Sequence, residues 1–182
     1  MSANFILNMS DITKRFPGVL ALDHVSLRVK KGEVHALLGE NGAGKSTLMK
    51  ILAGAYVKDE GEIEVFSKKT ELGNPKAAEN LGISIIYQEL NLIPTLTVAE
   101  NIFLGRYKMR GSIQVNWKEV YAAAEELLQE LGVDVKATDY IRDLGIAQQQ
   151  MVEVAKALSM KAKIIIMDEP SAPLTERETK NL

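Results

Sequence analysis

Cysteine is absent from the 182 residues. That excludes a disulfide framework, a thiolate metal site and a cysteine nucleophile. No apolar run approaches the roughly 18 residues that suggest a membrane span. Met1 to Asn8 has neither a basic n-region nor a long apolar stretch, so no signal peptide is expected there. If the protein serves a membrane process, the membrane part is expected on another chain. A basic excess is missing too. Lys and Arg number 22 against 24 Asp and Glu, and the net charge is −2. No overall positive field is available to hold nucleic acid, so none is expected as a partner. Short internal repeats and low-complexity segments are also lacking. What remains is an ordinary globular composition, 46% hydrophobic and 25% charged. The length suffices for one domain with a substantial core.

Strands and helices alternate along the chain. Asn4 to Met9 and Val25 to Val29 read as early strands, and Lys31-Gly32 as a turn. Glu33 to Leu38 reads as a short, mostly apolar strand running into a Gly-rich loop, with a helix over Lys45 to Leu52. Lys58 to Gly61 reads as a turn before a strand with alternation at Ile63 and Val65. Asn74-Pro75 has the form of an N-cap and first helical position. Ile83 to Tyr87 is β-branched and reads as a strand. Thr97 to Glu100 has capping-box spacing, as does Asn116 to Glu119 with Asn in the first place. Trp117, Val120, Tyr121, Ala124, Leu127, Leu128 and Leu131 then share one helical face, and Gly132 is the expected stop. Gln148 to Met160 repeats the helical pattern, and Lys163 to Met167 reads as a buried strand. Thr175 to Glu178 has capping-box spacing again. This order predicts an α/β fold with a partly parallel sheet and a helical subdomain over about residues 90–160.

The strongest chemical signal is Gly39-Glu40-Asn41-Gly42-Ala43-Gly44-Lys45-Ser46, a match to G-x-x-x-x-G-K-[ST]. Glycines let the backbone close around phosphate oxygens with successive N–H groups pointing inward. The following helix, through Thr47, aims its positive end at the same place. Lys45 is expected to reach the β- and γ-phosphates of ATP, and Ser46 to ligate Mg2+. A second signal is Ile164 to Met167 followed by Asp168-Glu169. By itself this is equally an exposed acidic turn. Beside the phosphate loop it reads as Asp168 holding a magnesium-bound water and Glu169 polarising the water that attacks the γ-phosphate.

These motifs, with what lies between them, resemble the ABC ATPases. The resemblance covers nearly the whole chain. It implies a P-loop NTPase core with an antiparallel β subdomain and a helical subdomain. Gln88 stands where that family has its Q-loop glutamine, touching metal and attacking water. Phe16 stands where the family stacks an aromatic ring on adenine; a core phenylalanine is the other reading. Leu144-Gly145-Ile146-Ala147-Gln148 falls at the L-S-G-G-Q signature, which closes over ATP held by a partner domain in a head-to-tail pair. Here Gly145 replaces the serine, and Ile146 and Ala147 replace the glycines, which weakens that match. The runs SIIYQELNLIPTLTVAENIFLGR, from Ser84 to Arg106, and QQQMVEVAKAL, from Gln148 to Leu158, look like ATP-binding subunits of bacterial monosaccharide importers of the ribose and galactose type.

That resemblance implies permease subunits as partners, indirectly a solute-binding protein, and a peripheral place on the cytoplasmic face of the membrane. It also implies that residues 1–182 form one incomplete nucleotide-binding domain lacking its C-terminal strands. The family's switch histidine falls downstream of Asp168-Glu169. His24 and His35, the only histidines, precede Lys45 and read as structural. Pro173 replaces a small residue in the loop Ser171 to Thr175, fixing φ and removing a donor. A chain ending at Leu182 is expected to be poorly stable and to hydrolyse ATP slowly. Two other readings stay open: a soluble ABC ATPase acting on DNA or ribosomes, and a non-catalytic module that binds nucleotide without turnover.

Overall fold

The computed structural model describes residues 5–87, 90–110 and 114–167 of the chain. Gln88, Asp168, Glu169, the loop Ser171 to Thr175 and the capping-box spacing at Thr175 lie outside the described residues. The chain divides into two units, Met1–Ile83 and Ser84–Leu182.

The first unit holds β1 (Phe5–Phe16), β2 (Val19–Lys30), α1 (Lys45–Leu52), β3 (Glu60–Val65), β4 (Lys68–Lys69) and α2 (Pro75–Asn80). Its sheet has the order β2-β1-β3-β4 and every pairing is antiparallel. β1 and β2 are far longer than the two short strands read from the sequence. Phe16 pairs with Val19, so Pro17-Gly18 is a two-residue hairpin loop. β1 buries Leu7 and Met9, then Ile12 and Thr13; the row changes where the register slips between Met9 and Ile12. Gly61 of β3 faces that bulge with φ 93°. A Cβ there would sit 2.5 Å from the Asp11 carbonyl oxygen, so only glycine fits. β3 begins at Glu60, which shortens the expected turn to Lys58-Asp59, and it turns Ile63 and Val65 inward as the alternation requires.

α1 spans the residues read for it and buries Leu48, Ile51 and Leu52, the i, i+3, i+4 set of one helical face. α2 starts as the dipeptide foretold: Asn74 Oδ1 accepts from the Ala77 N–H at 2.9 Å, with Pro75 at the first helical position. One strand expected from the sequence is not formed. No described strand pairs with Glu33 to Leu38, and Val34 is fully exposed. An apolar run becomes a strand only when a neighbour accepts its ladder hydrogen bonds. The histidines are likewise not core residues. His24 lies on β2 at φ 49° with its side chain 63% exposed, and His35 is exposed beside Glu33, Nδ1 to Oε1 3.0 Å.

The second unit holds β5 (Ile83–Ile86), α3 (Val98–Ile102), β6 (Met109–Arg110), β7 (Gln114–Val115), α4 (Trp117–Glu130), α5 (Ile146–Ser159) and β8 (Ile164–Met167). β5 pairs with β8, and β6 with β7 in a short antiparallel ribbon. β8 is half-buried rather than buried; only Ile166 falls to 7% exposure. The three helices pack on one another around Val98, Ile102, Val120, Ala124, Leu128, Met151 and Ala155. α4 turns Val120, Ala124 and Leu128 inward, as its periodicity predicts, and Gly132 at φ 65° follows its end. Trp117, read on the same face, is 41% exposed and stacks beside Tyr107 and Tyr121 instead. Asn116 does not cap α4 by accepting from the backbone; its amide donates to the Glu119 carboxylate.

Thr97 forms the full capping box on α3. Its Oγ1 accepts from the Glu100 N–H at 3.3 Å, and Glu100 Oε2 accepts from the Thr97 N–H at 2.7 Å. Thr97 is 7% exposed, so its removal strands donors that water reaches poorly. Thr97→Ala is expected to cost about 1–2 kcal/mol in urea-unfolding free energy. Retention of the wild-type midpoint would show that the cap contributes nothing. No helix among the described residues is long and apolar enough to cross a membrane.

Candidate functional site

Nine consecutive residues, Gly39 to Thr47, make the loop and first turn of α1. The Ala43 N–H donates to the Glu40 carbonyl at 3.2 Å, closing a turn, and the chain passes through positive φ at Gly42 (88°) and Gly44 (85°). Gly44 is the N-cap of α1 and, having no side chain, supplies no cap. The N–H groups of Lys45, Ser46 and Thr47 have no acceptor within the helix, because the first turn has no preceding carbonyls. Lys45 folds back over the loop, its Nζ donating to the carbonyls of Gly39 at 2.7 Å and Glu40 at 2.9 Å. Ser46 is exposed. The result is an uncapped helix start with the Lys45 ammonium beside it, two positive features of a kind that attract an anion. Against β2 the loop has no slack: a Cβ on Gly44 would lie 2.6 Å from the Ala21 carbonyl oxygen and 2.7 Å from Leu22 Cδ2.

Phe16 ends β1, half-buried, with Tyr56 packed edge-on at 5.3 Å between ring centroids. Lys14 Nζ lies 5.5 Å from the Phe16 centroid, and Lys50 Nζ lies 5.5 Å from that of Tyr56. Sequence reasoning missed Tyr56 and Lys14. Nothing local pairs Phe16 with a residue forty positions on; the sheet order does it.

Asp59 fixes this corner. It accepts from Lys14 Nζ at 2.8 Å and from the Arg15 N–H at 2.6 Å. These two bonds, Lys14 first, hold its carboxyl below the usual carboxylate range. A depressed pKa in the folded state stabilises above the unfolded value, near 4, and that contribution is lost as pH falls through the folded value. Asp59→Asn is therefore expected to lower the urea midpoint at neutral pH. The gap from wild type should close as the pH drops below about 4. A gap that persists unchanged in acid would contradict the ionic origin of the effect.

In the second unit, Gly145 is the extended N-cap of α5, which starts at Ile146, two residues earlier than the periodicity indicated. Gln148 Oε1 accepts from the Gly145 N–H at 3.0 Å, so this side chain is committed to the helix start. Gln149 Nε2 donates to the Leu144 carbonyl at 3.0 Å, tying down the preceding residue. Ile146 is 66% exposed. The Leu144 to Gln148 segment is thus a helix start held by glutamine side chains, with Gly145 and Ile146 exposed and Leu144 packed against the core. No group of three or more His, Asp or Glu arranged to hold a metal occurs among the described residues.

An antiparallel sheet carrying a glycine loop ahead of a helix, together with a three-helix unit, defines the architecture of an ATP-binding cassette. Residues 22–172 match the ABC transporter family, and the chain belongs to it. It is 52% identical over 182 residues to Xylose import ATP-binding protein XylG of Thermoanaerobacter pseudethanolicus, covering 99% of this chain and 36% of that protein. It is 55% identical over 177 residues to Ribose import ATP-binding protein RbsA 1 of Rubrobacter xylanophilus, covering 97% of this chain and 35% of that one. The chain therefore spans about a third of the length of these curated relatives. Among solved structures it is similar to the ADP conformation of MJ1267, an ATP-binding cassette of an ABC transporter, with TM-score 0.82 and 29% identity. That match covers 97% of this chain and 73% of the other. It is also similar to the post-hydrolysis dimer of the cassette MJ0796 bound to ADP and Pi, with TM-score 0.76 and 28% identity over 96% of this chain and 78% of that one.

Proposed function

We propose that this chain binds Mg-ATP in the loop Gly39 to Thr47 and, as part of a larger ATPase, hydrolyses it to energise import of a monosaccharide. The observation that carries the reading is the uncapped start of α1, backed by Gly44 against β2 and covered by the Lys45 ammonium. In this reading Lys45 exchanges its two carbonyl partners for β- and γ-phosphate oxygens. The amides of Gly42 to Thr47 hold the remaining oxygens. Phe16, braced by Tyr56, offers its ring to adenine. Ser46, Gln88 and Asp168 are the residues that would hold magnesium, which when bound neutralises developing charge on the phosphates. Glu169 orients the attacking water by accepting its proton.

Leu144 to Gln148 face a nucleotide held by a second such domain, in a head-to-tail pair; that the cassette MJ0796 is dimeric supports pairing. The two units then act as parts of one nucleotide-binding domain whose helical subdomain lies within about residues 90–160. The named relatives, xylose and ribose import ATP-binding proteins, support the substrate class. In this reading separate permease subunits carry the sugar, a solute-binding protein is engaged indirectly, and the chain sits peripherally on the cytoplasmic face of the membrane. The test is phosphate release from Mg-ATP across a range of protein concentrations. A rate that rises more steeply than linearly is expected, because each site is completed by its partner. A strictly linear rate, or none with ATP demonstrably bound, would overturn the paired-domain mechanism.

A further inference from the structure

One buried acid has no part in the site above. Glu153 lies on α5 at 8% exposure, amid apolar neighbours. Its Oε1 accepts from the Asn91 N–H at 3.0 Å, across 62 residues of sequence. One turn on, Lys156 Nζ donates to the Asn91 carbonyl at 3.1 Å and lies 3.7 Å from the Glu153 carboxylate. An i, i+3 pair on one helical face thus grips both polar groups of a single residue's backbone. Two residues on, α3 repeats the device. Asn101, 1% exposed, accepts from the Ile93 N–H at 2.7 Å and donates to the carbonyls of Ile93 at 3.1 Å and Thr97 at 2.9 Å. A buried carboxylate is costly unless paired. Here the pairing is spent on a loop rather than on a neighbouring helix.

We infer that Glu153 and Lys156 form a two-point latch fixing the backbone of Asn91 to α5, so that the segment just after Gln88 moves with the first turn of α5. The inference rests on the proposed roles of Gln88 and Leu144 to Gln148. Glu153 stands eight residues after Gly145, about 12 Å along a helix rising 1.5 Å per residue. α5 is therefore a short rod with the partner-facing segment at one end and the latch partway along. Glu153 and Lys156 touch neither nucleotide nor water in this account; they are positioning residues.

The test is hydrogen exchange on the full chain with and without Mg-ATP, comparing wild type, Glu153→Ala, Glu153→Gln and Lys156→Met. Wild type is expected to show protection of residues 39–48 on adding Mg-ATP, with exchange changing together at 146–150 and 90–93. Glu153→Ala should speed nucleotide-free exchange at 90–93 about tenfold. It should also abolish the Mg-ATP response there while sparing those at 39–48 and 146–150. Glu153→Gln keeps an acceptor for the Asn91 N–H and should restore most of the response. Should Glu153→Ala fail to fold, Lys156→Met carries the same test, since Lys156 lies at the edge of the core. A response at 90–93 that survives in the variants, or is absent from a wild type that does protect 39–48, overturns the latch. Absence of protection at 39–48 in wild type overturns the phosphate-loop reading instead. The latch then stands or falls on the nucleotide-free exchange alone.

Discussion

Lys45→Ala is expected to lower Mg-ATP affinity, and with it any kcat/KM for hydrolysis, by at least about 100-fold, or close to 3 kcal/mol. The Lys45 Nζ is drawn over the loop, and its present partners are two exposed backbone carbonyls. Those carbonyls are readily solvated once the amine leaves, so the lysine can part from them at little cost to the fold. A hydrogen bond at an exposed site contributes about 1 kcal/mol or less to stability. The variant should therefore melt within a few degrees of wild type. Loss of nucleotide binding with the melt retained marks a ligand residue. Loss of both would mean that Lys45 holds the loop together, and retention of both would remove it from the site.

Gly44→Ala is expected to destabilise the chain by roughly 2–5 kcal/mol and to abolish nucleotide binding even where the protein remains folded. Two effects add. Alanine at φ 85° costs about 1–2 kcal/mol. Its Cβ would meet the Ala21 carbonyl oxygen at 2.6 Å, and relieving that overlap costs about 1–3 kcal/mol more. Part of the contact is with β2 backbone, so relief requires the start of α1 to swing away and carry its N–H groups off target. Gly42→Ala is the internal control. It shares the positive φ at 88°, but nothing lies within 4 Å of its Cβ position. Only the backbone term should remain. Equal losses from the two substitutions, read by urea unfolding, would show that contact with β2 is not what fixes the loop.

The parts of this molecule that were legible in the sequence are those governed by short-range rules. The loop Gly39 to Thr47 with its helix needs only a glycine pattern and the chain direction. The caps at Asn74 and Thr97 and the inward row Val120, Ala124, Leu128 follow from contacts three or four residues apart. Errors arose where a partner far along the chain decides the outcome. Glu33 to Leu38 has the composition of a strand, but ladder bonds come from neighbours, and no described strand supplies them. The β1–β2 hairpin runs far beyond the two short apolar segments that mark it, because the outer parts of each strand are held by the other strand, with Pro17-Gly18 as the local turn signal. Trp117 obeys the periodicity of α4, yet at the helix start the apolar stripe runs beyond the core, and the ring meets Tyr107 instead. Glu153 interrupts an apolar pattern and gave no hint that its acceptor serves Asn91.

The central claim is that backbone amides from Gly42 to Thr47 surround a triphosphate. It is tested most directly by following those amides in a nitrogen-15 correlation spectrum while Mg-ATP is titrated to about 1 mM, the upper end of ordinary substrate affinities. Large, saturable shifts confined to this loop, the first turn of α1 and the neighbourhood of Phe16 are the expected result. A spectrum unchanged at that concentration, or shifts clustered elsewhere with Gly42 to Thr47 unmoved, would contradict it.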